Sequence, residues 1–73
     1  MPLYSLRADT QGTVLAINIA QGDRVAAAQV LLQLEIMKIE IPVETPVAGR
    51  VTSIHVNLGE YVTEGSLLMT IET

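Results

Sequence analysis

The chain has 73 residues and a mass of 7.9 kDa, which suffices for one domain and leaves no second lobe to close over a substrate. Four basic residues against eight acidic ones give a net charge of -4, a balance that argues against nucleic acid or an anionic membrane as partner. There is no Cys and a single His, His55, so a disulfide framework and a Cys/His zinc site are excluded and no metal is expected.

Apolar residues make up 49% of the chain, almost all of them aliphatic, with two Tyr, no Phe and no Trp. The opening Met1-Pro2-Leu3-Tyr4-Ser5 lacks a charged segment followed by an apolar one, and no apolar run is long enough to span a bilayer. A soluble, cytoplasmic protein is the expectation.

In chain order, Ile17 and Ile19 share a period of two and are followed by Gln21-Gly22-Asp23, where Gly permits the positive φ of a turn. Ala26-Ala27-Ala28 favours helix but is too short to form one. Val30, Leu32, Leu34 and Ile36 then alternate with Gln33 and Glu35, which predicts a strand with the first set inward. From Ile39 through Ile41 and Val43 the inward parity is odd. Further on, Ile54 and Val56 precede the turn Leu58-Gly59-Glu60, and Leu67, Met69 and Ile71 alternate with Thr70 and Glu72. About eight short strands and no helix result, in two sets of four. To bury one face of each they must close into a sandwich or flattened barrel, so the fold class is all-β.

The two sets repeat. Residues 12–35 lie over 49–72 without a gap, and the identical pairs are Gly12/Gly49, Val14/Val51, Ile17/Ile54, Gly22/Gly59, Val25/Val62, Leu31/Leu68 and Glu35/Glu72. Such a match predicts duplication and a pseudo-twofold fold within one domain, residues 1–73. On the same offset Tyr4 and Leu6 fall on Ile41 and Val43, so an opening strand mirrors the one after the junction. Both termini should then lie at the pole opposite that junction.

Between the repeats stands Glu35-Ile36-Met37-Lys38-Ile39-Glu40. The switch of parity across two residues is what a two-residue hairpin loop produces, placing Ile36 opposite Ile39 and Met37-Lys38 at the tip. Glu35 falls opposite Glu40, a like-charge pair that opposes folding. Ile36 and Ile39 are expected in or near the core. Met-Lys is a poor pair for such a loop, which favours Asn-Gly, so another demand acts there. Lys38 is the only lysine in the chain. His55 falls on an outward parity without a catalytic role, and Pro42 and Pro46 suit a sheet edge.

Glu35-Ile36-Met37-Lys38-Ile39 resembles the acceptor motif, commonly E-A-M-K-M, of biotin carboxyl carrier domains. The pattern G-x-V, I-x-V-x-x-G-[DE]-x-V and L in both halves is similar to that of the biotinyl/lipoyl family, and the resemblance covers nearly the whole chain. Ile36 and Ile39 depart from the usual Ala and second Met, and Ala28 stands where the second half has Gly65. No protruding extra segment of the kind found in some bacterial acetyl-CoA carboxylase carriers has a counterpart.

The resemblance implies a flattened β-barrel or sandwich of two four-stranded sheets, with Lys38 as the biotin attachment site. Glu35, Met37, Ile39 and Glu40 would be read by a biotin protein ligase. Lysine amines are almost wholly protonated at neutral pH, so a ligase supplying biotinyl-adenylate is needed. The tethered biotin would shuttle CO2 between a biotin carboxylase and a carboxyltransferase, the carrier supplying effective concentration and no catalysis of its own. Two alternatives stand beside this one. A lipoyl domain has the same fold but an acidic residue before its lysine, where this chain has Met37. An unmodified lipoyl-like interaction module needs no lysine at the tip. A free-standing enzyme is disfavoured, since no Ser/His/Asp set, metal cluster or phosphate-binding glycine loop is present.

Overall fold

A computed structural model describes residues 2–73, and Met1, the first residue of the expected domain, lies outside it. Eight strands follow in order: β1 Leu3–Arg7, β2 Gly12–Ile17, β3 Arg24–Val25, β4 Val30–Ile36, β5 Ile39–Glu44, β6 Gly49–Ile54, β7 Tyr61–Val62 and β8 Leu67–Glu72. They form two antiparallel four-stranded sheets, one in the order β1-β8-β6-β3 and the other β5-β4-β2-β7. Each sheet therefore mixes strands of both halves, and shifting every strand number by four (modulo eight) exchanges the two.

The backbone bonds obey the same exchange. Gly22 N–H donates to the Val51 carbonyl at 2.7 Å, and Gly59 N–H to the Val14 carbonyl at 2.8 Å. Ala28 N–H donates to Thr45 O and Gly65 N–H to Ala8 O, both at 2.7 Å. In the turns, Ala20 N–H is capped by Asp23 Oδ2 at 2.9 Å and Asn57 N–H by Glu60 Oε1 at 3.1 Å. A short carboxylate side chain accepting from the backbone three residues earlier closes such a loop locally.

The core lies between the sheets, where Val14, Leu32, Leu34, Val51, Met69 and Ile71 are buried. Fully burying one such side chain contributes about 1.5 to 3 kcal/mol. Strict alternation fails at one pair of positions. Leu31 and Leu68 are completely buried although each precedes another buried residue, while Val30, Ile36 and Leu67 are only half-buried. The ladder explains it: the register slips between Val30 and Leu32 against β5, and between Leu6 and Arg7 against β8, so that Leu31 and Leu68 are bulge residues. A bulge turns two successive side chains to the same face. Leu15 in β2 and Thr52 in β6 are the second equivalent pair of bulge residues, and these face away from the core.

β5 and β1 are edge strands, and Pro42 is exposed on the former, where its missing N–H interrupts no ladder. The register also fixes which end is which. The β2–β4 ladder begins with Thr13 beside Glu35 and ends with Ile17 beside Leu32; the chain then runs on to Gly22, which is bonded to Val51 next to Arg50, itself paired with Glu72. The β4–β5 tip and the Leu3–Glu72 rung thus occupy opposite ends of a body measuring 37 × 18 × 18 Å. No helix of the described residues is long and apolar enough to cross a membrane.

Candidate functional site

The β4–β5 hairpin closes with Glu35 opposite Glu40 and Ile36 opposite Ile39. Met37 and Lys38 form its loop with φ of 53° and 66°, the left-handed pair that a two-residue type I′ turn demands. Neither residue is suited to this region, which costs a side-chain-bearing residue about 1 to 2 kcal/mol. The tight hairpin is held by the ladder below it rather than by its own loop residues.

Below the tip, β2 stops short. Its last rung against β4 is Thr13 opposite Glu35, so the Ile36–Ile39 rung projects past the neighbouring strand. Ile39 is accordingly 63% exposed, which corrects the expectation that it lies in or near the core; Ile36 is half-buried. Met37 is 88% exposed and Lys38 is exposed beside it. An amine flanked by two uncovered apolar side chains therefore stands at the end of a stiff two-stranded arm. On the rung beneath, Glu35 is half-buried and Glu40 exposed.

The base of the arm rests on a glycine. A Cβ built on Gly12 would come within 3.0 Å of the Glu35 carbonyl oxygen and 3.3 Å of Leu34 Cβ, so a larger residue there would crowd β2 against β4. Gly49 has the same role at the other end, where its Cβ would meet Ile71 Cγ2 at 2.9 Å.

Of the residues singled out from sequence, Glu35, Met37, Lys38, Ile39 and Glu40 are brought together in this hairpin, and His55 stands apart. His55 lies just past β6, exposed, with Nε2 2.9 Å from Thr70 Oγ1. Among the described residues no group of three or more His, Cys, Asp or Glu is placed to hold a metal, and no buried side-chain nitrogen or oxygen lacks a hydrogen-bond partner. A cavity of about 450 Å³ lies between the edge strands β1 and β5 and is lined by Tyr4, Arg7, Asp9 and Glu44 among others. None of the tip residues lines it.

The site is one exposed lysine on a strained hairpin of a pseudo-twofold sandwich, and comparison with known proteins gives the class to which such a chain belongs. A family model described as biotin-requiring enzyme, of the biotin/lipoyl type, matches residues 5–71. A biotinylated protein (TB7.3 homologue) of Mycobacterium leprae is 38% identical over 90% of this chain and 93% of its own length. The biotin carboxyl carrier protein of Streptococcus mutans is 39% identical over 92% of this chain and 52% of its own length. Among solved structures, the urea carboxylase of Kluyveromyces lactis superposes with a TM-score of 0.90 at 28% identity, covering 99% of this chain and 6% of that enzyme. The chain thus spans nearly all of one relative, about half of another and a small part of the carboxylase. It belongs to the biotin/lipoyl family, on the biotin carboxyl carrier side of it.

Proposed function

We propose that Lys38 is the attachment point of biotin and that the chain is the non-catalytic carrier of a biotin-dependent carboxylase, moving CO2 between a biotin carboxylase and a carboxyltransferase. The observation that carries this reading is the hairpin tip, where the only lysine of the sequence is exposed between Met37 and Ile39. The residues fit a covalently held group, because an amide on Nζ at this position displaces no packed side chain. Bound biotin supplies a ureido nitrogen able to carry CO2.

The unprotonated Lys38 amine attacks the acyl carbon of a biotinyl-adenylate held by a biotin protein ligase. The amide bond forms, the acyl–phosphate bond breaks, AMP leaves, and the amine's surplus proton passes to solvent. Met37 and Ile39 offer apolar contact on either side of the amine, while Glu35 and Glu40 offer charge at the base. The rigid ladder fixes where the arm begins, so a group on Lys38 reaches two active sites as an intramolecular partner, at roughly millimolar effective concentration for a short flexible tether.

Met37 occupies the place before the lysine where lipoyl acceptors carry an acidic residue, and the relatives named above are biotin proteins; both favour biotin over a lipoyl group. Intact-mass measurement after co-expression with a biotin ligase and, separately, with a lipoyl ligase tests the reading. The expected outcome is one biotinyl increment with the first enzyme, lost in Lys38→Ala. An increment from the lipoyl ligase alone would establish the alternative cofactor, and none from either would leave an unmodified interaction module.

A further inference from the structure

The two ends of the molecule share one backbone and differ in what they display. At the Lys38 end, Tyr61 lies opposite Thr13 on β2, which continues the row through Glu35 to Glu40. Gly59 N–H donates to the Val14 carbonyl at 2.8 Å and Val14 N–H to the Glu60 carbonyl at 2.8 Å, which brings Leu58 beside the bulge residue Leu15. At the terminal end the equivalent row runs Arg24, Arg50, Glu72, Leu3. There Gly22 N–H donates to Val51 O at 2.7 Å and Val51 N–H to Asp23 O at 2.9 Å, which brings Gln21 beside the bulge residue Thr52. Leu15, Leu58 and Tyr61 thus stand on the same backbone positions as Thr52, Gln21 and Arg24.

Leu15, Leu58 and Tyr61 are 41%, 66% and 57% exposed, so burial does not account for them, and the polar residues at the equivalent positions demonstrate that this backbone does not need them. Apolar surface held in water without a folding reason marks a contact site. Its rim is acidic, with Glu35, Glu40 and Glu60; the equivalent positions at the other end are Glu72, Leu3 and Asp23, and two cations stand among them there, Arg24 and Arg50, where this end has Tyr61 and Thr13.

We propose that Leu15, Leu58 and Tyr61, rimmed by Glu35, Glu40 and Glu60, form the surface on which the biotin ligase docks, and that the ligase presents there an apolar cleft edged with Lys or Arg. The inference rests on the carrier reading above and extends the ligase contact from the hairpin to the flank of its sheet. A ligase is favoured over the two carboxylase partners on geometry. Acylation must hold the Lys38 amine itself within bonding distance of the acyl carbon, which a footing on the sheet beside the arm provides. A group already attached through a flexible arm enters an active site without that flank being covered.

The chain supplies its own test, since the terminal end carries residues the backbone tolerates. In the triple variant Leu15→Thr, Leu58→Gln, Tyr61→Arg, the ligase KM for the unbiotinylated protein rises at least about tenfold, as expected on losing central apolar contacts, while kcat changes less than about twofold and the circular dichroism spectrum is retained. The reverse graft at the other end, Gln21→Leu, Arg24→Tyr and Thr52→Leu, leaves both constants unchanged. Tyr61→Arg alone gives the same direction of change if the triple variant folds poorly. An unaltered KM in the folded variants overturns the docking surface and leaves the carrier reading intact. Failure of the unsubstituted chain to accept biotin at Lys38 overturns both.

Discussion

Ala28 and Gly65 hold the same left-handed backbone in equivalent turns, with φ of 69° and 89°, and each donates its N–H at 2.7 Å to the residue that follows the neighbouring strand of its own sheet, Thr45 and Ala8. The second half uses the residue suited to that conformation and the first half does not. Relief of the strain at Ala28, about 1 to 2 kcal/mol, is offset in part by the greater chain entropy of an unfolded Gly, about 0.5 to 1 kcal/mol. Ala28→Gly should therefore raise stability by up to about 1 kcal/mol in urea unfolding. Loss of stability would contradict the account of this turn.

Burial separates two aliphatic residues that sequence periodicity treats alike. Leu31 is completely enclosed at its bulge, whereas Ile39 overhangs the sandwich. Leu31→Ala should cost about 2 to 5 kcal/mol by removing core contacts and leaving a cavity. Ile39→Ala should alter stability by no more than about 0.5 kcal/mol, and its effect should appear in ligation instead. Equal losses of stability in the two variants would refute the overhang.

Like charges face each other on the Glu35–Glu40 rung. Such a pair opposes folding by a few tenths of a kcal/mol in low salt and is screened as salt rises. Glu40→Gln should accordingly raise the melting temperature in low salt, with the gain shrinking toward zero at about 1 M salt. A lower melting temperature in low salt would mean that the two carboxylates are not the liability their register makes them.

Met37 is exposed at the hairpin tip, where its side chain contributes little to folding. Met37→Asp should lower the rate of biotin attachment by about tenfold or more, through loss of an apolar contact and addition of charge next to the amine, while the melting curve stays within about 0.5 kcal/mol of the parent. Undiminished labelling would remove Met37 from the recognition surface.

Much of this architecture was legible in the sequence because its signals are local or repeated. The parity switch between Ile36 and Ile39 placed the turn at Met37-Lys38, and the matched glycines foretold the paired turns at Gly22 and Gly59. Three features were not legible. The burial of Leu31 was not, because a bulge is a property of two strands in register, and one strand's alternation does not contain it. Ile39 looked buried because nothing local tells where a neighbouring strand ends. The flank formed by Leu15, Leu58 and Tyr61 needed the sheet order to bring β2 beside β7 across 48 positions of sequence from Thr13 to Tyr61. A signal for it lay in the repeat itself, in the mismatched pairs Leu15/Thr52, Gln21/Leu58 and Arg24/Tyr61.

Fragment-ion mapping of the protein after incubation with a biotin ligase, ATP and biotin locates the acylated atom. A single biotinyl group on Lys38 Nζ, with every other position unmodified, is the expected result. Biotin on the N-terminal amine, or a folded chain that accepts none at all, would contradict it.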